Sequence, residues 1–335
     1  MAKVTLVDST LRDGSHATSH SYTVKQVEAI ASGLSSAGVE IMEISHGDGL
    51  GGSSYTYGFM KADEFDLIKA AADNAGKSKV AVLLLPGIGT IEDLKRAKAA
   101  GASVVRVATH VTEADVSAQH IAAAKELGMM AVGFLMMSHM APPKLIAEEA
   151  AKMASYGSDY VNLADSAGYL MPEGVIERIK AVKAAIDIPV GWHSHNNLAL
   201  AMANSLAAVD AGAEYLDATL AGLGAGAGNT QIEVLAGVLQ RREIITGVDF
   251  YKLMDLAHDV VCPLMQKPQT IDSGSLMLGY SGVYSSFLLH VYRAAEKFKL
   301  DSRDILEELG RRKMVGGQED MIIDVAYQLK KKGNS

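Results

Sequence analysis

The stretch Gly191-Trp192-His193-Ser194-His195-Asn196-Asn197 sets two imidazoles two residues apart, directly after the apolar lead-in Ile188-Pro189-Val190. Side chains alternate along a strand, so His193 and His195 share one face while Trp192 and Ser194 take the other. Two neutral imidazoles on one face at a strand end are half of a divalent-metal site. Alone, a His-x-His of this kind is better read as one packed and one solvated histidine. The start of the chain changes the balance. Asp8-Ser9-Thr10-Leu11-Arg12-Asp13-Gly14-Ser15-His16-Ala17 follows the first apolar run. Asp13 offers a carboxylate oxygen that completes a two-histidine, one-carboxylate set with coordination positions left for substrate and water. Arg12 adds a planar, fixed cation suited to a carboxylate or a developing enolate oxygen. Singly, Asp13 reads as a loop cap and Arg12 as a rim ion pair; at matching strand ends they read as a site.

Holding residues so far apart in sequence at one point requires a closed architecture. Short runs of Val, Ile, Leu and Met alternate with longer Ala-rich amphipathic segments. Strands are expected near Val4–Asp8, Val39–Ser45, Val80–Leu85, Val104–Thr109, Met130–Met137, Tyr160–Asp165, Val190–His195 and Tyr215–Leu220. Helical patterns separate them, one of them beginning at Leu198 and one capped by Thr90 with Asp93 three residues on. Strands apolar on both faces, each followed by a helix, predict an α/β fold: a (β/α)8 TIM barrel with a small C-terminal helical extension. An open doubly wound sheet is the alternative, but no Gly-x-Gly-x-x-Gly follows the first strand. Barrel enzymes gather their chemistry at the C-terminal strand ends, which is where Arg12, Asp13, His46, His110, His139, Ser166, His193 and His195 fall.

The βα rhythm stops near residue 240. Asp249–Cys262, Tyr284–Lys299, Ser302–Leu309 and Gln318–Leu329 read as helices, and Met321, Val325 and Leu329 form a stripe that needs a partner surface. The expected organisation is a catalytic barrel over residues 1–258 and a helical unit over 259–335, packed on it and contributing to the site. Lys330-Lys331-Lys332 reads as a solvated tail.

A net charge of -8 and the lack of a basic run interleaved with aromatics argue against nucleic-acid binding. No apolar run is long enough for a membrane span. Cys262 is the single cysteine, so no intrachain disulfide can form, and Met1-Ala2-Lys3-Val4 leads straight into a strand; a cytoplasmic protein is expected. Glu43 and Arg106 lie inside strands, where charges need partners, and an ion pair between them in the barrel interior is expected alongside the alternative that one faces solvent. A Schiff-base aldolase needs a lysine at a strand end, and none stands there; Lys144 falls at a helix start.

Thr10-Leu11-Arg12-Asp13-Gly14, His193-Ser194-His195-Asn196 and Gly222-Leu223-Gly224-Ala225-Gly226-Ala227-Gly228-Asn229 resemble the signatures of the DRE-TIM metallolyase superfamily. Ser45–Leu50, Leu83–Gly89, Val104–Asp115, Gly133–Met140, Gly282–Leu288 and Met314–Asp324 narrow the resemblance, over nearly the whole chain, to the 4-hydroxy-2-oxovalerate aldolase family. The resemblance implies a divalent ion, usually Mn2+ with Co2+ or Mg2+ as alternatives, held by Asp13, His193 and His195. It further implies that Arg12 stabilises a pyruvate enolate, that His16 is the base, that Ser166 and His193 contact substrate, and that Tyr284 closes the site. From the residues alone, His20, His46, His110 and His139 compete with His16, and Tyr280 and Tyr292 compete with Tyr284. Asn196 and Tyr169 depart from the family pattern and leave substrate preference open.

The implied reaction is cleavage of 4-hydroxy-2-oxopentanoate, or a close homologue, to pyruvate and a short aldehyde in the meta-cleavage catabolism of aromatics. An acylating acetaldehyde dehydrogenase is the implied partner. A Claisen-type acyl-CoA synthase of the same superfamily and a non-catalytic metal-binding scaffold are the alternatives. The glycine-rich loop lacks the catalytic cysteine that related thioester lyases carry there.

Overall fold

In the computed structural model, residues 3–333 are described; Met1 and Ala2, the start of the expected direct entry into a strand, lie outside them. Eight parallel strands close in sequence order, which excludes the open doubly wound sheet. They are β1 (Thr5–Leu11), β2 (Ile41–Ile44), β3 (Lys79–Leu84), β4 (Val104–His110), β5 (Met130–Met136), β6 (Tyr160–Asp165), β7 (Val190–Ser194) and β8 (Tyr215–Ala218). Closure comes from β1 pairing with β8, Thr5 opposite Tyr215 through Asp8 opposite Ala218. A helix lies outside each crossover, as parallel strands require.

Several expected strands are shorter in the structure. β2 loses residues 39, 40 and 45, β8 stops at Ala218, and β7 stops one residue before His195. Ala201, not Leu198, opens the helix after β7, because Asn196–Ala199 forms a turn in which Ala199 takes φ 61°. Thr90 does form the expected capping box with Asp93, its hydroxyl and the Asp93 carboxylate each accepting a backbone N–H.

Alternation along the strands fills the barrel in layers. The floor is Val7, Ile41, Ala81, Val104, Val132 and Tyr160, with Tyr160 stacked on Tyr215 at 4.0 Å. The layer nearest the C-terminal ends is Leu83, Ala108, Phe134 and Ala164. Between them the inward positions are charged or polar: Glu43, Arg106, Asn162 and Asp217, all buried. Arg106 Nη1 donates to Glu43 Oε2 at 2.9 Å, and Nη2 donates to Asp217 Oδ2. The expected Glu43–Arg106 pair is therefore present, inside the barrel, with a second carboxylate. The guanidinium also lies 4.5 Å from the Phe134 ring centre. Outward residues, Trp192 among them, join the larger core beneath the helices.

The helices Ser273–Ser281, Leu288–Phe298, Ser302–Arg311 and Met321–Gly333 share a separate core that includes Leu278, Phe287, Val291, Leu306 and Val325. Met321 and Leu329 pack against it with Val325, so the apolar stripe is spent within the chain. Lys330–Lys332 end the Met321–Gly333 helix instead of trailing as a tail; cations suit that end of the helix dipole. The Ser273–Ser281 helix was not expected, because glycines interrupt its pattern. They permit close contact: a Cβ at Gly279 would sit 2.7 Å from Leu198, and one at Gly274 would sit 2.1 Å from the Tyr292 hydroxyl.

Replacing Arg106 by leucine would leave buried Asp217 without its guanidinium and buried Glu43 with one cation in place of two. Breaking a buried pair in this way typically costs about 3–5 kcal/mol. Arg106→Leu should lower the denaturation midpoint accordingly in urea unfolding, whereas Lys69→Leu, at an exposed i,i+4 pair, should leave it within about 0.5 kcal/mol.

Candidate active site

The first functional segment is shaped by a register shift in β1 between Asp8 and Leu11. Asp8 accepts from both the backbone N–H and the hydroxyl of Thr10, at 3.0 and 2.8 Å. Thr10 Oγ1 in turn accepts from Leu220 N at 2.8 Å, and Tyr22 donates its hydroxyl to Thr10 O at 3.1 Å. These contacts tie the exits of β1 and β8 together and turn Arg12 and Asp13 over the barrel mouth. Burial pushes the Asp8 carboxyl up to about 7.

His193 comes from the inward face of β7, and His195 follows on the turn beyond it, where it bridges to Asn229. Their Nε2 atoms lie 3.4 Å apart, and Asp13 Oδ2 lies 3.2 Å from His193 Nε2 and 3.5 Å from His195 Nε2. The opposite ring edges are engaged. His193 Nδ1 is 2.9 Å from Asp217 Oδ2 and His195 Nδ1 is 3.3 Å from Ala225 O, so each Nδ1–H donates and each Nε2 lone pair faces the other donors.

A glycine-rich turn completes the arrangement. Gly222, Gly226 and Gly228 have φ of 69°, 64° and 86°, and a Cβ at Gly228 would strike Gly222 O at 1.9 Å. So tight a turn brings Ala225 O to His195 and Ala225 N to Asp13 Oδ1 at 3.2 Å. One Asp13 oxygen is thereby fixed, while Oδ2 is buried without a hydrogen-bond donor.

This donor set fits a divalent metal. Three ligands each about 2.0–2.2 Å from one ion stand roughly 3.0–3.5 Å apart, and the separations here are 3.2, 3.4 and 3.5 Å. The protonation states of Asp13 and His195 suit it as well. Burial raises the Asp13 carboxyl, but Arg12 and the two imidazoles outweigh it and hold it well below the usual carboxylate range. Burial pushes His195 down to about 4, leaving a neutral imidazole. For His193 burial acts downward too, but Asp13 and Asp217 reverse the direction.

Arg12 is held by a bond from Nε to Glu43 Oε2 at 2.8 Å, the same oxygen that accepts from Arg106. Its Nη1 lies 3.5 Å from Asp13 Oδ2. Arg12, Asp13, His16, Ser166, His193, His195 and Tyr284 all line one small cavity, closed on the barrel side by Leu83, Phe134 and Ala164. Ser166 Oγ accepts from Met137 N at 3.1 Å. Tyr284 reaches the cavity from the C-terminal unit, and burial and then Asp48 push its phenol up, so it stays a donor.

Of the competing histidines, His20 and His46 stack on one another behind His16, and His139 faces Gly282 O. Tyr280 is largely exposed. Sequence reasoning missed Asp217. The signal was available: a carboxylate at an inward position of an otherwise apolar strand, as at Glu43. Asp217→Asn would remove the charged partner of His193 Nδ1, and changes of this kind typically weaken metal binding by about 10–100-fold. Titration of the metal-depleted protein with Mn2+, followed by electron paramagnetic resonance, should show that loss; an unchanged dissociation constant would contradict the assigned role.

Residues 3–260 match the HMGL-like family model and residues 269–331 match the DmpG-like communication domain. The 4-hydroxy-2-oxovalerate aldolase of Moorella thermoacetica is 64% identical, over 98% of this chain and 97% of that one. The enzyme of the same name from Brevibacillus brevis is 58% identical, over 99% and 98%. Among solved structures, the carboxyl transferase domain of Rhizobium etli pyruvate carboxylase has a TM-score of 0.83 at 17% identity, over 98% of this chain and 60% of that one, a likeness of fold. Aldolases of this family depend on a divalent metal, and Asp13, His193 and His195 are a donor set that fits one. By its matched length, its barrel and its C-terminal unit, the chain belongs to the 4-hydroxy-2-oxovalerate aldolase family.

Proposed function

We propose that the chain cleaves 4-hydroxy-2-oxopentanoate, or a close homologue, to pyruvate and acetaldehyde, with Mn2+ as the ion on Asp13, His193 and His195. The observation that carries this reading is the single cavity in which Arg12 and His16 meet that three-donor set. When bound, the ion supplies a Lewis acid for the 2-oxo acid end of the substrate. The chain's own groups account for the rest. His16 takes the proton from the C4 hydroxyl; the C3–C4 bond breaks, the C4–O bond becomes the aldehyde carbonyl, and the electron pair passes to an enolate. Arg12, its Nε fixed by Glu43, turns its remaining N–H groups to the enolate oxygen. Because these donors are oriented before the charge develops, little reorganisation accompanies the step. Ser166 contacts the carboxylate end and Tyr284 donates from above. Leu83, Phe134 and Ala164 keep water from the enolate until C3 is protonated and pyruvate leaves.

Residues 1–258 act as the catalytic barrel and 259–335 as a helical unit that lends Tyr284 and joins the barrel through Ser285. Ser285 Oγ donates to Ser166 O at 2.7 Å and accepts from Asn197 at 2.9 Å. The match to a communication domain supports docking of an acylating acetaldehyde dehydrogenase on this unit, to receive the aldehyde. A cytoplasmic location is consistent with one cysteine and with no helix of the described residues being long and apolar enough to cross a membrane.

Purified protein given Mn2+ and 4-hydroxy-2-oxopentanoate should release pyruvate. Exhaustive chelation should abolish that activity and Mn2+ should restore it, while borohydride with pyruvate should trap no lysine adduct. Full activity without metal, or a trapped lysine, would refute the reading.

Arg12 separates charge from geometry. Lysine keeps the charge and loses the planar fork; alanine loses both. Loss of one preorganised donor to a developing oxyanion typically costs about 10²–10³-fold in turnover. At saturating Mn2+ and substrate, kcat of Arg12→Ala should fall at least that far and Arg12→Lys should recover only part; a fully active lysine variant would leave Arg12 as a general electrostatic contributor.

A further inference from the structure

A second group of metal-ligating side chains stands next to the first. His16, His20 and Asp48 each offer a donor atom, and the three atoms lie within 4.8 Å of one another. His20 and Asp48 are buried and His16 is partly exposed. The hydrogen bonds orient His20. Ser15 donates its hydroxyl to Arg12 O at 2.7 Å, so at 3.0 Å it can only accept from His20 Nδ1–H, which leaves the lone pair on His20 Nε2. Burial, with His16 and His46 as neighbours, pushes His20 down to about 2, so its imidazole stays neutral.

Asp48 lacks a fixed cation. Its nearest basic neighbour is His46, whose Nδ1 is 3.6 Å away, accepts from Asp48 N at 3.1 Å and therefore carries no proton. His16 is seated over the same loop: a Cβ at Gly47 would meet its Nε2 at 2.5 Å. An open cavity of roughly 320 Å³ gives access, bounded by these residues with Tyr57, His290 and Glu319, and with Arg293 among its lining residues. Glu319, which burial and then backbone contacts and Asp48 act upon, adds a further carboxyl on this side. His16 alone of the three also lines the cavity of the Asp13, His193 and His195 set.

We propose that His16, His20 and Asp48 form a second, inhibitory divalent-cation site that takes an imidazole-seeking ion of the Zn2+ class. Two imidazoles and one carboxylate are donors such ions prefer. Bond lengths of about 2.0–2.2 Å require the donors to close from within 4.8 Å to roughly 3.5 Å, which takes side-chain adjustment at His20 and Asp48 as well as at the partly exposed His16 ring. A coordinated His16 has no lone pair for the C4 hydroxyl proton. The inhibitory consequence rests on the base role given to His16 above; the binding does not.

Calorimetric titration of the metal-depleted full chain with Zn2+ tests the binding directly. The parent should take up two equivalents, and His20→Ala and the more conservative Asp48→Asn should each take up one. Asp13→Asn, altered at the first site, should still bind an ion through the second. Pyruvate release in excess Mn2+ should fall as Zn2+ is added to the parent, and each variant should resist that fall relative to its own uninhibited rate. One equivalent in the parent, or two in both His20→Ala and Asp48→Asn, would overturn the proposal. Zn2+ inhibition with the same midpoint in parent and variants would also overturn it, by locating the effect at the first site. Absence of pyruvate release with Mn2+ alone would instead count against the aldolase reading and leave the stoichiometry to decide the second site.

Discussion

A guanidinium sealed inside the barrel, Arg106, is the constraint on which the rest of the site depends. Glu43 Oε2 accepts from Arg106 and Arg12 together, and Asp217 Oδ2 accepts from Arg106 and faces His193 Nδ1. Arg106 thus spans the two carboxylates that orient Arg12 and His193. The fixed charges explain why a divalent cation belongs here. Three buried carboxylates, Asp13, Glu43 and Asp217, face two guanidiniums, Arg12 and Arg106, leaving one negative charge unbalanced. That excess meets at Asp13 Oδ2, the oxygen left without a hydrogen-bond donor. Burying such a charge is costly unless something cationic joins it.

Barrel geometry converts this network into a site. Inward residues recur every second position along a strand, so Glu43, Arg106 and Asp217 share one layer, and His193 rises into the next. The apolar floor beneath, closed by Tyr160 on Tyr215, keeps water from the charged layer. A low local dielectric strengthens the fixed dipoles aimed at the cavity and makes any missing partner expensive. Rigidity at the mouth follows from the same layer, because neither Arg12 nor His193 can reorient without unpairing a buried charge.

Much of this could be read from the sequence, for identifiable reasons. The strands announced themselves as apolar runs on a regular period, and His193 and His195 stood out as two imidazoles sharing one face where such a run ends. Asp13 and Arg12 were visible through their place after the first strand. Glu43 and Arg106 drew attention as charges inside strands, but the three-way junction with Asp217 depends on register around a closed sheet, which no local pattern reports. The function of the glycine-rich turn was hidden for another reason. Ala225 acts through its backbone N–H and carbonyl, groups that every residue carries, and only the positive φ values at its glycines betray the turn. The Ser273–Ser281 helix was missed because its glycines serve close packing against Leu198 and Tyr292, where an amphipathic face would have been the usual signal.

The barrel alone does not close the cavity, and this gives the C-terminal unit its structural meaning. Tyr284 enters from the segment preceding the Leu288–Phe298 helix, and its neighbour Ser285 joins Ser166 O and Asn197. Asn197 also donates to Ala167 O and accepts from Ala227 N, so one amide ties the β6 exit, the β7 exit, the glycine-rich turn and the helical unit. His139 adds a contact to Gly282 O on the same boundary. A shift of the helical unit must therefore be felt at Ser166, at the turn carrying Ala225 and at Tyr284 together. All three border the cavity shared by Arg12, His16 and the Asp13, His193 and His195 set. The helical unit thus reaches the cavity through packed groups and hydrogen bonds, with no need for a mobile arm between them.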